Sequence, residues 1–201
     1  EQRLGPKIRA RIGMTEDGIF NAVQGCWYVD TGALCDAVQG QVGVGLGEAQ
    51  LVMAKCKNWD LDSKVVVTNK CPAGIVRGYG GQELNSCLAR VMSHCMMLAD
   101  KDPIDIFKKN YVSPGDKYVW RDGLVWQSRG SDHYPATMQM AADKFGWDEA
   151  WNGWLKPTRV EGRKAYGVGA GIIGNADVCE DNTQCLVRIQ HDVKGRGATL
   201  I

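Results

Sequence analysis

A glycine-rich segment that runs directly into a long helical pattern constrains the fold of this chain more than any other feature. Residues 71–83 carry four glycines around one arginine and one tyrosine: Gly74, Arg77, Gly78, Tyr79, Gly80 and Gly81. Apolar residues then recur three and four positions apart from Glu83 to Ala99, which predicts an amphipathic helix. Glycines leave backbone amides accessible, and a helix N-terminus attracts anions. The segment is therefore either an anion- or cofactor-binding turn or a glycine turn with a solvated arginine.

Two β-hairpins are predicted from alternating patterns on either side of turn residues. Lys7–Met14 alternates polar and apolar side chains, Glu16–Gly18 supplies a turn, and Ile19–Val29 continues in β-prone residues. A similar pattern over Tyr118–Trp126 predicts a second hairpin around Asp122–Gly123.

The remaining predicted elements mix helices and strands without strict alternation. Asp102 as N-cap and Pro103 at the first helical position predict a helix over Pro103–Lys109. The others are helices over Glu48–Lys55 and over Tyr134–Phe145, the latter ending at Gly146, and strands over Ser63–Asn69, Arg163–Ile173 and Gln184–Gln190. We therefore predict an α+β fold in which mixed sheets are flanked by helices.

One stretch has the composition of a linker. Lys156–Gly162 combines proline, glycine and charged residues between two patterned regions. We place a domain boundary there, so that residues 1–155 form a first domain and residues 156–201 form the start of a second, incomplete one.

Charge balance and cysteine content exclude several classes of protein. Lys and Arg total 24 and Asp and Glu total 23, so the formal net charge is +1 and no clustered basic face for nucleic acid or an anionic membrane is indicated. The apolar runs are too short to span a bilayer, and the N-terminus lacks an apolar secretory core. Eight cysteines without a Cys-x-x-Cys pair favour free thiols. We expect a soluble cytoplasmic protein with neither a nucleic-acid nor a membrane partner.

Two other candidate motifs are better explained as structure. Gly169–Gly174 matches the spacing of a dinucleotide fingerprint, but polar turn residues follow it where that fingerprint needs a helix. We interpret it as a packed glycine strand. The three histidines, His94, His133 and His191, do not stand at metal-ligand spacing, and no cysteine is paired with a base.

The loop over Val76–Gln82 resembles the Phe-Arg-Gly-Phe-Gly-Gly-Pro-Gln loop of the molybdenum-binding subunit of the xanthine dehydrogenase and aldehyde oxidoreductase family, without the proline. Other segments resemble that subunit in the same order: the Asp17–Gly18 hairpin leading to Tyr28–Ala33, Thr68–Asn69, Leu88–Arg90, Asp102–Asn110, Phe145–Trp147 and Gly162–Gly169. The resemblance covers nearly the whole chain, which is identified as a middle segment of that subunit.

The resemblance implies a fold belonging to the molybdopterin-binding domains of a molybdenum hydroxylase large subunit. In that family the subunit holds molybdenum on a pyranopterin, often in a cytosine dinucleotide form, and electrons leave through 2Fe-2S clusters toward FAD. We therefore expect an iron–sulfur subunit, an FAD subunit and further molybdenum-subunit segments as partners. The expected reaction is hydroxylation or dehydrogenation of a small molecule such as an aldehyde or N-heterocycle. By position, the cofactor-binding residues would be Ile75, Val76, Arg77, Gly78, Tyr79, Gly80 and Gly81, with Tyr79 also in the substrate pocket.

Several parts of the family pattern are absent from these residues. The earlier Gly-Gly-Phe-Gly loop, the later Gly-Gln-Gly loop and the carboxy-terminal segment with the catalytic glutamate are missing. Gly45–Glu48 matches that last segment by letters, but it precedes the Arg77 loop, so we interpret the match as coincidence. No arginine lies in Gly43–Gln50, which disfavours a purine substrate. We assign no catalytic residue and no direct metal ligand, and we expect activity only with other segments or subunits.

Two alternatives from other functional classes remain open. The chain could be a catalytically silent scaffold of the same fold that assembles an oligomer, or a hydrolase or transferase that binds phosphate at the glycine loop. Molybdenum in the native protein would distinguish the molybdenum hydroxylase hypothesis from both alternatives.

Overall fold

The computed structural model shows helices and strands in a mixed order. It describes residues 3–34, 38–74, 76–119, 125–127, 133–174, 189–191 and 198–200. In chain order the elements are β1 (Gly5–Met14), β2 (Phe20–Asp30), α1 (Val38–Val52), β3 (Asn58–Val66), α2 (Gly81–Leu98), α3 (Pro103–Asn110), β4 (Lys117–Val119), β5 (Val125–Gln127), α4 (Tyr134–Phe145), α5 (Trp147–Ala150), β6 (Arg159–Glu161), β7 (Lys164–Tyr166), β8 (Ile189–His191) and β9 (Ala198–Leu200). The predicted α+β class is confirmed.

A three-stranded sheet in the order β1-β2-β3 forms the framework of the first half. β1 and β2 pair antiparallel through a turn in which Gly18 has a φ of 85°, so the predicted hairpin is confirmed. β3 pairs parallel to β2, which requires a crossover connection, and α1 supplies it. β3 begins earlier and ends sooner than the predicted strand Ser63–Asn69, because its limits are set by pairing with β2.

α1 is longer than the predicted helix over Glu48–Lys55, which was wrong at both ends. It includes several glycines, each of which costs about 1 kcal/mol in a helix, so the local pattern argues against it. Packing overrides that preference: a Cβ added at Gly45 would lie 2.7 Å from the carbonyl oxygen of Gly80 and 3.0 Å from the Trp27 ring. The glycines allow α1 to approach the start of α2 closely.

α2 carries the apolar stripe that the sequence predicted over Glu83–Ala99. Its buried face consists of residues four positions apart: Leu84, Leu88, Met92 and Met96. The same core contains buried side chains of β2: Phe20, Val23, Trp27 and Val29. Burial of each such side chain contributes roughly 1.5–3 kcal/mol, so this packing fixes where α2 begins.

α3 ties the hairpin turn to the rest of the fold. Its predicted N-cap is confirmed, since Asp102 Oδ1 accepts a hydrogen bond of 2.7 Å from the Ile104 amide. At its other end the buried Asn110 side chain accepts from the Phe20 amide and donates to the carbonyl of Gly18, both at 2.8 Å. These bonds hold the turn in place together with the buried Ile106 side chain, whose Cδ1 would collide with a Cβ added at Gly18.

The second half contains smaller elements. β4 and β5 pair antiparallel as predicted, with their connecting residues 120–124 outside the described part. α4 ends at Gly146, whose φ of 74° confirms the predicted helix end. The aromatic rings of Trp147 and Trp151 then stack with centroids 5.0 Å apart.

The strand predicted over Arg163–Ile173 was wrong in its extent. Only Lys164–Tyr166 is a strand, paired with β6 across a turn at Gly162, and β6 itself lies in the stretch predicted as a linker. Residues 167–174 have no described strand beside them, so no ladder forms there. Of the predicted strand Gln184–Gln190, only its last two residues are described, in β8.

Candidate functional site

The glycine segment forms a tight turn immediately before α2. The amide of Tyr79 donates to the carbonyl of Val76 at 3.0 Å, and the amide of Gly81 donates to that of Gly78 at 2.8 Å. Gly78, Tyr79 and Gly80 have φ angles of 102°, 40° and 91°. Three consecutive residues in the left-handed region explain two glycines and leave Tyr79 strained, which is a feature of functional loops.

Side chains are excluded from this turn by its own neighbours. A Cβ added at Gly78 would lie 2.8 Å from Cγ and Cδ of Gln82. A Cβ at Gly81 would fall on the carboxylate of Glu48, a buried residue of α1. The side chain of Asn85 supports the same place, with Nδ2 2.7 Å from the carbonyl of Gly81 and 3.5 Å from Glu48 Oε2. The turn therefore packs against α1 through its backbone, at Glu48.

The turn presents hydrogen-bond donors and positive charge. Arg77 is exposed, and α2 begins three residues beyond Gly78, so its N-terminal amides add a partial positive charge. Among the described residues, none accepts a hydrogen bond from the amide of Gly78 or of Gly80. The turn can therefore bind an anionic or acceptor-rich ligand through its backbone.

Arg3, two residues before β1, contacts both the turn and the start of α2. Its Nη1 donates to Glu83 Oε1 at 2.9 Å and its Nη2 donates to the carbonyl of Arg77 at 3.0 Å. Glu83 lies in the first turn of α2 and is 7% exposed. The sequence analysis missed this pair, because no local pattern connects residues 80 positions apart.

Most of the predicted cofactor-binding residues are placed in this turn. Val76, Gly78 and Tyr79 are half-buried, Arg77 is exposed, and Gly80 and Gly81 are buried. Ile75 lies outside the described residues. The support from Glu48 was also missed, since Gly45–Glu48 was interpreted only as a coincidental match to a family segment. The signal that would have found it is the glycine spacing of α1, which here serves close helix packing.

Other candidate sites gain no support within the described parts. The residues that the structure describes contain no group of three or more His, Cys, Asp or Glu able to hold a metal ion. Five cysteines are thiols rather than disulfides, namely Cys26, Cys56, Cys71, Cys87 and Cys95, while Cys35, Cys179 and Cys185 lie outside the described residues. Burial raises the pKa of the Cys56, Cys87 and Cys95 thiols. No described helix is both long and apolar enough to cross a bilayer.

The sequence model of the molybdopterin cofactor-binding domain matches residues 1–111, more than half of the chain, including the sheet, α2 and the turn. The chain belongs to this family. The fold of this molybdopterin cofactor-binding domain is that of molybdenum hydroxylase large subunits, as the similar solved structures show.

Three solved structures illustrate the likeness. Aldehyde oxidoreductase from Desulfovibrio desulfuricans is 19% identical, with a TM-score of 0.62 over 73% of this chain and 16% of that one. Quinoline 2-oxidoreductase from Pseudomonas putida is 22% identical (TM-score 0.58, 71% and 18%), and CO dehydrogenase from Oligotropha carboxidovorans is 19% identical (TM-score 0.52, 72% and 18%). The matched part of this chain thus spans about a sixth of the aldehyde oxidoreductase. No curated protein matches the sequence.

The described residues fit a molybdopterin. That cofactor is anionic and rich in hydrogen-bond acceptors, and the turn offers a backbone amide at Gly78, a helix N-terminus and the Arg77 guanidinium. Gly78 also lacks a Cβ, for which its contact with Gln82 leaves no room. The turn lies within residues 1–111, which the family model matches.

Proposed function

We propose that the turn over residues 75–81 binds the pyranopterin of a molybdenum cofactor in a molybdenum hydroxylase-type oxidoreductase. The observation that carries this proposal is the run of left-handed backbone at Gly78, Tyr79 and Gly80, inside the family-matched region. It leaves the half-buried Gly78 amide without a described acceptor, next to the exposed Arg77. Bound there, the cofactor would supply two-electron redox chemistry at molybdenum.

Each residue of the turn has a separate task in this proposal. The amide of Gly78 donates to an acceptor atom of the ligand, because no side chain keeps the ligand at a distance. The buried Gly80, with a φ of 91°, lets the chain enter α2. The Arg77 guanidinium offsets negative charge. The Tyr79 ring faces the substrate, as its position in the family loop implies; the backbone of Tyr79 has a φ of 40°.

We further propose that the complete protein is a xanthine dehydrogenase-family enzyme which hydroxylates or dehydrogenates an aldehyde, an N-heterocycle or a related carbon centre. The support is the residue pattern from Val76 to Gln82 together with the similar structures, whose names include an aldehyde oxidoreductase and a quinoline oxidoreductase. The absence of arginine from Gly43–Gln50 disfavours purines.

The cofactor form, the partners and the domain limits also belong to this proposal. We propose a cytosine dinucleotide form of the pyranopterin, 2Fe-2S and FAD on partner subunits, further molybdenum-subunit segments, and a cytoplasmic location. The boundary between a first domain (1–155) and a second (156–201) falls just before the β6–β7 hairpin. The support is the resemblance, and the small share of each relative that the chain spans leaves room for the missing loops.

Two substitutions in the complete protein separate cofactor binding from substrate binding. Arg77→Ala removes one charge-assisted contact, worth roughly 1.5–3 kcal/mol, so the cofactor should bind about ten- to a hundredfold more weakly. Tyr79→Ala should keep its molybdenum and mainly raise KM. The measurements are molybdenum per polypeptide and steady-state kinetics. If both variants keep full metal loading and unchanged kinetics, the turn is not the cofactor site and the scaffold alternative takes its place.

A further inference from the structure

Arg3 joins two parts of the candidate site with one rigid group. Its planar guanidinium donates to Glu83 Oε1 at 2.9 Å and to the carbonyl of Arg77 at 3.0 Å. A guanidinium presents its donors in a fixed fork, so the two acceptors are held at a set distance from each other. The Arg77 carbonyl of the glycine turn is thereby linked to Glu83 at the start of α2.

Glu83 holds Arg3 in this position. Its side chain is only 7% exposed, and its other carboxylate oxygen, Oε2, is buried without a hydrogen-bond partner among the described residues. A buried carboxylate is costly unless a cation compensates it. Arg3 is 42% exposed and could swing into solvent, but the charge of Glu83 opposes that movement.

The bond to the Arg77 carbonyl determines where the Gly78 amide points. The Arg77 carbonyl and the Gly78 N–H belong to the same planar trans peptide unit, so they point in opposite directions. When Arg3 fixes the oxygen on its own side, the N–H of Gly78 must face away from Arg3. No described residue accepts a hydrogen bond from that N–H. A charged donor on the carbonyl also polarises the peptide and strengthens its N–H as a donor.

We propose that Arg3 is a positioning residue that aims the Gly78 N–H at the ligand of the turn, with Glu83 as the residue that keeps Arg3 in place. This inference rests on the proposed function of the turn. It differs from a role in which Arg3 only fastens the start of β1 to α2, because that role needs the bond to Glu83 but not the bond to the Arg77 carbonyl.

Arg3→Lys in the complete protein distinguishes these roles. A lysine keeps the charge that Glu83 requires but loses the fork that reaches both acceptors. Arg9→Lys is the matched control, since Arg9 is an exposed arginine of β1 without a described ion pair. Three quantities are measured: the melting temperature, molybdenum per polypeptide, and hydrogen exchange at the amides of Tyr79 and Gly81 in protein produced without molybdate.

Arg3→Lys should leave the melting temperature near that of Arg9→Lys and accelerate exchange at Tyr79 and Gly81 by roughly ten- to a hundredfold. Its molybdenum content should also fall. Exchange and molybdenum both equal to those of the control would overturn the proposal. Faster exchange with undiminished molybdenum supports the positioning of the turn by Arg3 and contradicts the proposed function of the turn instead.

A double variant covers the case in which Arg3→Lys destabilises the protein. Arg3→Ala with Glu83→Gln removes the guanidinium together with the buried charge that it leaves behind. If the melting temperature recovers relative to Arg3→Ala alone while exchange at Tyr79 and Gly81 stays fast, the positioning role is supported. If both recover together, Arg3 is only a structural tie and the proposal is wrong.

Discussion

Glycines occur in two regions of this molecule for opposite physical reasons. In the sheet region, residues 3–112, Gly32 stands where the backbone leaves no room for a side chain. It has a φ of 69°, and a Cβ there would collide with the carbonyl of Cys71. In the extended region, residues 167–171, Gly169 has an ordinary φ, and no described atom lies within 4 Å of an added Cβ. Beyond this region the chain is close-packed again, since a Cβ at Gly174 would collide with the carbonyl oxygen of Glu48. Glycine spacing alone therefore does not identify a site, and neither does a left-handed φ combined with close contact, since Gly32 has both. The turn before α2 differs because no described residue accepts a hydrogen bond from the Gly78 amide.

Matched alanine substitutions in the two regions test this difference most strongly. Gly32→Ala combines a left-handed backbone with a backbone clash, so we expect it to lower the free energy of unfolding by roughly 3 kcal/mol. Gly169→Ala should change it by no more than about 0.5 kcal/mol. Denaturant titration of the complete protein measures both. Equal losses would show that the extended region is covered elsewhere in the protein and that the contrast is wrong.

The ion pair of Asp30 with Lys70 in the sheet region should make the stability of the protein depend on pH more strongly than the pair of Glu161 with Arg159 in the β6–β7 hairpin. Asp30 accepts hydrogen bonds from Lys70 at 2.5 Å, from the Thr68 hydroxyl at 2.6 Å and from the Gly32 amide at 3.0 Å, and these lower its pKa from 3.8 to about 2. Because the folded pKa lies below the unfolded value, this stabilisation is fully present above pH 4 and is lost as the pH falls from 4 to 2.

The measurement is the melting temperature of the wild type and of Asp30→Asn between pH 7 and pH 2. The two curves should be separated at neutral pH and should converge below pH 4. Glu161→Gln in the β6–β7 hairpin is the matched control, since Glu161 and Arg159 are each more than half exposed and such pairs contribute little. A gap between wild type and Asp30→Asn that is as large at pH 2 as at pH 7 contradicts this account.

The smallest expected effects concern two non-glycine residues with a left-handed backbone, Leu155 and Tyr79. Leu155 has a φ of 59° and is 89% exposed, so Leu155→Gly should relieve backbone strain and stabilise the protein by about 0.5–1 kcal/mol without changing activity. Tyr79→Gly should stabilise by a similar amount but weaken substrate binding. Denaturant titration and KM values separate the two cases. A change of KM in Leu155→Gly would place that residue in a site as well.

The sequence predicted those parts of the fold whose signals are local. The Asp102 cap, the hairpin turn at Gly18 and the helix over Glu83–Ala99 each depend on residues near one another in sequence, and all three were confirmed. The apolar face of that helix was predicted only in part: Leu84 and Leu88 are buried, but Leu98 is exposed. The extent of α1 was not predictable, because Gly45 is tolerated in a helix only through its contact with Gly80 and Trp27.

The candidate site was predictable in the same uneven way. The turn from Val76 to Gly81 carries its own glycine pattern, so it could be found and matched to a family from the sequence. Its supports could not be found, because Arg3 and Glu48 reach the turn from sequence-distant elements. Extended residues 167–174 were predicted as part of a strand from the same alternation that a paired strand shows, but no described strand lies beside them.

The molybdenum content of Gly78→Val tests the central claim most directly. Valine at a φ of 102° and within 2.8 Å of Gln82 cannot present the turn's backbone to a ligand, so the complete protein should contain little molybdenum. Gly162→Val is the matched control, since Gly162 also has a positive φ, of 58°, in the β6–β7 turn. We predict full loading in the control and a large loss in Gly78→Val. Equal loading in both variants would contradict the assignment of the cofactor to this turn.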